Sequence, residues 1–169
     1  GIDVVVEGMV NATLRACPHH GGSLESFDDK AARAVAGVID IFPIGEAVVV
    51  VADTFWHAKK AASLLDITWS QGPAAGLDDK QIRTTLEEAL KGAPIVHQHG
   101  GRPRVLDIEA SYFCPYLEHA PIEPLNATVH VQDDRVDVWA PTQVQQAVQD
   151  QASEITGVRK ARCFVHSTY

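Results

Sequence analysis

Cysteine is scarce: Cys17, Cys114 and Cys163 are the three in 169 residues, odd in number, far apart and without a CxxC pair. That excludes an even disulfide framework and a zinc knuckle. The residue-level reading is three small buried apolar side chains, which leaves the redox compartment open. Basic residues are in deficit, 14 against 22 acidic, for a formal charge of −8. No basic cluster stands out, so neither nucleic acid nor an anionic membrane surface is expected as a partner. Long apolar runs are missing too. Stretches such as Ala47 to Ala52 are strand-sized and too short to cross a bilayer. What is present is a foldable chain, 46% apolar and 21% charged, too apolar and too weakly charged for disorder.

Several catalytic signatures are also missing. There is no GxGxxG, GxxxxGK[ST], GxSxG or HExxH, which argues against a nicotinamide enzyme, a P-loop nucleotidase and a zincin. There is no initiator Met and no signal-peptide pattern. Gly1 leads at once into folded-looking sequence, and Ala161 to Tyr169 reads as a strand with no closing turn. An excised piece of a longer chain is expected.

The patterning alternates strands and helices. Val10 to Ala16 and Ser23 to Phe27 alternate as half-buried strands. Asp28 or Asp29 caps a short helix that ends at Gly37. Val38 to Ile44 and Ala47 to Ala52 follow as strands, and the unbroken Val48 to Val51 run predicts burial on both faces. A helix over Thr54 to Leu65, with Trp56, Ala61 and Leu64 or Leu65 on one face, leads to a strand at Asp66 to Ser70. This order argues for a mixed α/β or α+β domain. Gln71 to Gly76 is a loop, and Asp78 or Asp79 caps a helix through Lys91. Ala93 to Pro103 reads as a linker. Val105 to Phe113 begins a second unit. Ala127 to Gln132 and Val136 to Trp139 form a hairpin. Thr142 caps a helix over Gln143 to Thr156, with Gln145 completing a capping box, and Gly157 stops it. Ala161 to Thr168 is the last strand.

Three groups of residues could carry chemistry. His19-His20 and His97-x-His99 are weak ligand sets without an acid or Cys at ligand spacing, and solvated imidazoles explain them as well. Tyr116 to Pro124 packs Glu118, His119 and Glu123 between Pro115, Pro121 and Pro124, which limit how these groups point. Such a segment places a carboxylate in a cleft, or its polar groups satisfy one another. Gln143 sits on a strand-to-helix corner, where a carboxamide can donate to a ligand oxygen beside the first-turn amides. An ordinary polar first-turn residue would look the same.

The strings Tyr116-Leu-Glu-His-Ala-Pro-Ile-Glu-Pro-Leu-Asn-Ala-Thr-Val129 and Val138-Trp-Ala-Pro-Thr-Gln143 resemble the xanthine dehydrogenase and aldehyde oxidase family of molybdenum hydroxylases. The likeness is greatest to isoquinoline oxidoreductase beta subunits and membrane-associated aldehyde dehydrogenases. Val6-Glu7-Gly8-Met9 with Ala12-Thr13, Ala36-Gly37-Val38 and Ala47 to Lys60 resemble that family's hammerhead domain, more loosely.

The resemblance implies an α+β fold: an α/β hammerhead domain over residues 1–75, a linker with one helix over 76–104, and over 105–169 the incomplete start of a molybdopterin-binding domain. It implies a subunit that hydroxylates an aldehyde or N-heterocycle with oxygen from water, passing electrons to an iron–sulfur small subunit. Gln143 matches the glutamine that hydrogen-bonds a molybdenum oxo ligand, and Glu118, His119 and Glu123 match a segment that shapes the site. The family's glycine-rich loop and catalytic glutamate would lie beyond Tyr169. The 169 residues alone are therefore expected to hold no molybdenum–pterin cofactor, to lack activity and to self-associate through a cut sheet edge. The subfamily implies a periplasmic or membrane-associated location, with the cytoplasm as the alternative. A stand-alone binding or assembly domain on the same scaffold is the competing reading.

Overall fold

The computed structural model describes residues 2–92, 100, 108 and 110–168. His97, His99 and most of the Ala93 to Pro103 stretch lie outside them. The chain divides into two compact units, one of Val10–Leu117 and one that joins Gly1–Met9 to Glu118–Tyr169.

In the first unit, β1 (Asn11–Ala16), β4 (Ala47–Ala52) and β3 (Val38–Ile44) form an antiparallel sheet in the order β1-β4-β3. The Val-rich β4 is the central strand. Pro43 falls on the edge strand β3, where the N–H it lacks is not missed. Helix α2 (Phe55–Ala62) packs on this sheet, and the short α1 (Lys30–Arg33) packs beside it. The core is Ala32, Ile41, Val48, Val50, Ala61, Ala62 and Leu65. Each buried valine contributes roughly 1.5–3 kcal/mol of apolar burial. Strands β2 (Leu24–Asp28) and β5 (Asp66–Trp69) form a separate antiparallel pair.

Two expectations are corrected here. Helix α2 buries Ala58, Ala61 and Ala62, and Leu65 follows at the same spacing, whereas Trp56 is 73% exposed. At 3.6 residues per turn Trp56 lies about half a turn from Leu65, so the two cannot share the core face. The Val48 to Val51 run is covered on one face only. Val48 and Val50 are buried beneath α2, but Val49 and Val51 are half-buried in cross-strand register with Leu14, Phe42, Ala12 and Asp40. On the helix side Arg15 donates to the carbonyl of Ala62 at 3.1 Å, satisfying an end of α2 that has no partner within the helix.

Helix α3 (Asp79–Gly92) starts at a capping box. Asp78 Oδ1 accepts from the Gln81 amide at 2.7 Å, and Gln81 Oε1 accepts from the Asp78 amide at 3.3 Å. The helix buries none of its residues.

In the second unit, β6 (Thr128–Val131) pairs antiparallel with β7 (Val136–Ala140), and β7 pairs parallel with β8 (Cys163–Ser167). Helix α4 (Gln145–Thr156) makes the crossover, and Gly157, at φ +73°, closes it in the left-handed conformation that glycine adopts at least cost. Val136, Val138 and Cys163 are buried against Val148, Ala152 and Val158. Only Cys163 fits the expectation of buried thiols. Cys17 is half-buried and Cys114 is exposed. Residues 110–127 contain no helix or strand, so the proline-braced stretch is not a strand. Among the described residues, no helix is long and apolar enough to cross a membrane.

A strand-to-helix corner as candidate site

Strands β7 and β8 run parallel, so their carboxyl ends lie together, and the Thr168 amide extends the pairing by donating to Ala140 at 3.2 Å. The crevice beyond such strand ends is the usual ligand position in open α/β sheets. The chain turns there through Pro141, Thr142, Gln143 and Val144 before entering α4.

The corner differs from the expected capping box. The helix begins at Gln145 with Val144 at its N-cap, and no side chain caps it. Thr142 Oγ1 instead accepts from the Val144 amide at 3.0 Å. Valine offers no oxygen, so the start of α4 lacks a side-chain acceptor and retains a positive dipole end. Gln145 does not reach back as a capping-box acceptor. Its Nε2 donates to the Thr142 carbonyl at 3.3 Å and to Ser167 Oγ at 2.8 Å. Four residues on, Gln149 Nε2 donates to the carbonyls of Cys163 at 2.8 Å and Lys160 at 3.1 Å. Both glutamines tie the helix to the strand it precedes. Their i, i+4 spacing was the available sequence signal.

Gln143 sits on the bend between Thr142 and Val144. Its side chain is exposed and makes no hydrogen bond to another described residue. Glu118 and His119 are also exposed and without such a bond. Ala120, directly after them, holds φ +43°, a left-handed conformation unusual for alanine and doubly so before Pro121. Glu123 is half-buried and accepts from the Ile2 amide at 2.9 Å and from Asn126 Nδ2 at 3.0 Å. The Ile2 N–H, with help from Asn126, holds its carboxyl below the usual range. No hydrogen bond joins any two of Gln143, Glu118, His119 and Glu123. His19 and His20 are exposed, and among the described residues no three His, Cys, Asp or Glu side chains converge as metal ligands.

The opposite face of the β6–β8 sheet carries a polar cluster that sequence reasoning missed. Asp137, buried in the middle of β7, accepts from Arg135 Nε at 2.5 Å and Nη2 at 2.8 Å, and lies 2.8 Å from His166 Nε2. His166 stacks on Trp139 with ring centroids 4.9 Å apart, and Arg135 lies 4.3 Å over the Phe164 ring. An acid inside an apolar, alternating strand was the signal. In the first unit His57 Nδ1 lies 2.6 Å from Asp53 Oδ1, and that hydrogen bond holds the Asp53 carboxyl below its usual range.

Residues 101–169 match the family model of a molybdopterin cofactor-binding domain. The chain is 23% identical to a membrane-bound aldehyde dehydrogenase [pyrroloquinoline-quinone] of Gluconacetobacter polyoxogenes, over 99% of this chain and 24% of that protein. It is 24% identical to the beta subunit of isoquinoline 1-oxidoreductase of Brevundimonas diminuta, over 98% of this chain and 23% of that protein. The chain thus spans about a quarter of the length of these relatives. Among solved structures, quinoline 2-oxidoreductase of Pseudomonas putida 86 shares its fold with a TM-score of 0.68 at 16% identity, over 98% of this chain and 27% of that one. CO dehydrogenase of Oligotropha carboxidovorans does so with a TM-score of 0.57 at 14% identity, over 97% of this chain and 28% of that one. Residues 101–169, about two fifths of the chain, thus match a molybdopterin cofactor-binding domain, and nearly the whole chain is similar to a stretch of these molybdenum hydroxylase-type oxidoreductases, of which it spans a part.

Proposed function

We propose that the chain is part of the large subunit of a molybdenum hydroxylase that oxidises an aldehyde or N-heterocycle with oxygen from water, and that Gln143 faces the cofactor. One observation carries the reading. Within the matched domain, at the carboxyl ends of two parallel strands, an exposed carboxamide without a described partner stands beside an uncapped helix start. Gln143 and the first-turn amides of α4 are neutral N–H donors. They suit the oxygen ligands and phosphate of a pterin-held metal better than they suit direct metal ligation. When bound, the molybdenum–pterin group supplies the redox centre that takes up the substrate's electrons.

This chain's residues bind and orient. Gln143 donates through Nε2 and does not titrate, so its contact is insensitive to pH. Glu118 and His119 border the site, and Glu123 pins the segment that carries them. The catalytic base lies outside these 169 residues, and the electrons leave through an iron–sulfur partner. Residues 1–75 make the hammerhead domain, 76–104 the linker and 105–169 the start of the cofactor domain. The quinone in the first relative's name is not what the matched domain is described as binding. Adding pyrroloquinoline quinone is therefore the control expected to restore nothing.

The test is Gln143→Ala in the intact oxidoreductase. A partner of a metal's ligands is expected to cost about 10- to 100-fold in cofactor affinity or turnover. Unchanged molybdenum content together with unchanged turnover would remove Gln143 from the site.

A further inference from the structure

We infer that Gln145 is the positioning residue of this site: its carboxamide clamps the Gln143 corner to the end of β8. The inference rests on the reading of Gln143 given above, but its geometry stands apart from it. The corner has little else to hold it. Pro141 has no N–H to offer, Gln143 has no described side-chain partner, and the N-cap is a valine. Beyond the backbone bonds at Ala140 and Val144, two side-chain contacts remain. Thr142 Oγ1 holds the Val144 amide from within the turn. Gln145 Nε2 spans from the Thr142 carbonyl to Ser167 Oγ, 22 residues along the chain and on the far strand of the parallel pair.

One NH₂ group therefore ties both ends of the crevice together, one hydrogen to each side. Gln149, one helical turn along, fixes the base of β8 in the same way. Gln145 thus acts at the rim of the crevice and Gln149 at its foot. A carboxamide is the side chain for this task, because it carries two N–H donors and no charge. A glutamate of the same length would turn an oxygen toward the Thr142 carbonyl and repel it. The clamp sets how far Gln143 stands from the strand ends without touching a ligand itself.

Amide hydrogen exchange on the full chain tests this, with Gln145→Glu, Ser167→Ala and Ser167→Thr compared. Gln145→Glu preserves length and bulk, so the fold is retained. Its Val144 and Thr168 amides are expected to exchange about three- to ten-fold faster, the span of a single hydrogen bond. Amides in the middle of β7 should be unmoved. Ser167→Ala should reproduce the effect, and Ser167→Thr, which restores a hydroxyl, should rescue it. A Gln145→Glu, Ser167→Ala double variant should exchange no faster than Gln145→Glu alone. Unchanged exchange at Val144 and Thr168, or a uniform rise across the whole unit, would overturn the clamp. Failure of the Gln143 reading would appear instead as unaltered molybdenum content and turnover in Gln143→Ala, with the exchange pattern of the Gln145 variants intact.

Discussion

His166 Nε2 lies 2.8 Å from Asp137 Oδ1, joining neighbouring parallel strands through a carboxylate buried in the sheet. Because an ionised carboxylate only accepts, the hydrogen on this bond belongs to the imidazole Nε2. Arg135 holds the same carboxylate through two nitrogens, while the Trp139 ring stacks on His166 and the Phe164 ring lies against the Arg135 guanidinium. Asp137→Asn should cost about 2 kcal/mol in urea unfolding, since it removes a charge on which three donor nitrogens converge. A loss below a few tenths of a kcal/mol would mean that the cluster is incidental.

The same aspartate sets an acid dependence. Hydrogen bonding from Arg135, then from His166, outweighs desolvation and holds the folded-state carboxyl well below its ordinary value. A depressed pKa contributes stability that is fully present above the unfolded carboxyl's value, about 4, and is lost as pH falls from there toward the folded value. Stability measured from pH 5 downward should therefore fall more steeply in the parent chain than in Asp137→Asn. Parallel curves would assign the acid loss to other carboxylates.

Gly37, at φ +86°, sits where a Cβ would overlap Asp53 Oδ1 and His57 Nδ1. Gly37→Ala should destabilise the first unit by about 2 kcal/mol, combining left-handed strain with the displaced pair. The chemical shifts of the His57 ring should change with it. A neutral substitution would show that the turn relaxes freely.

Helix α2 offers a paired test. Ala61 is fully buried against the sheet and Trp56 is mostly exposed. Ala61→Leu should cost about 1–3 kcal/mol through overpacking. Trp56→Ala should change stability by less than about 0.5 kcal/mol, as surface positions do. A large cost at Trp56 would reveal a covering surface on that face.

Helix α3 buries nothing and depends on its own capping box. Its amides should exchange at lower opening free energies than those of β3 and β4. Asp78→Ala should lower its helicity, at about 1 kcal/mol for a lost cap, without shifting the main unfolding transition. A shift of that transition would place α3 within the cooperative core.

Strands β1 to β8 and the four helices were legible because their causes are local. Alternating apolar residues, Gly157 after α4 and the Asp78/Gln81 pair act within a few positions along the chain. The strings around Glu118 and Gln143 likewise carried the family likeness unaided. The tertiary structure alone decided that Trp56 faces solvent, that Val49 and Val51 line an open sheet face, and that Gln145 reaches Ser167 while Gln143 has no partner among the described residues. It alone gathered Arg135, Asp137 and His166. These outcomes turn on which strand lies beside which and on which face a helix covers. A contact between residues 22 or 29 positions apart leaves no periodic trace in the sequence.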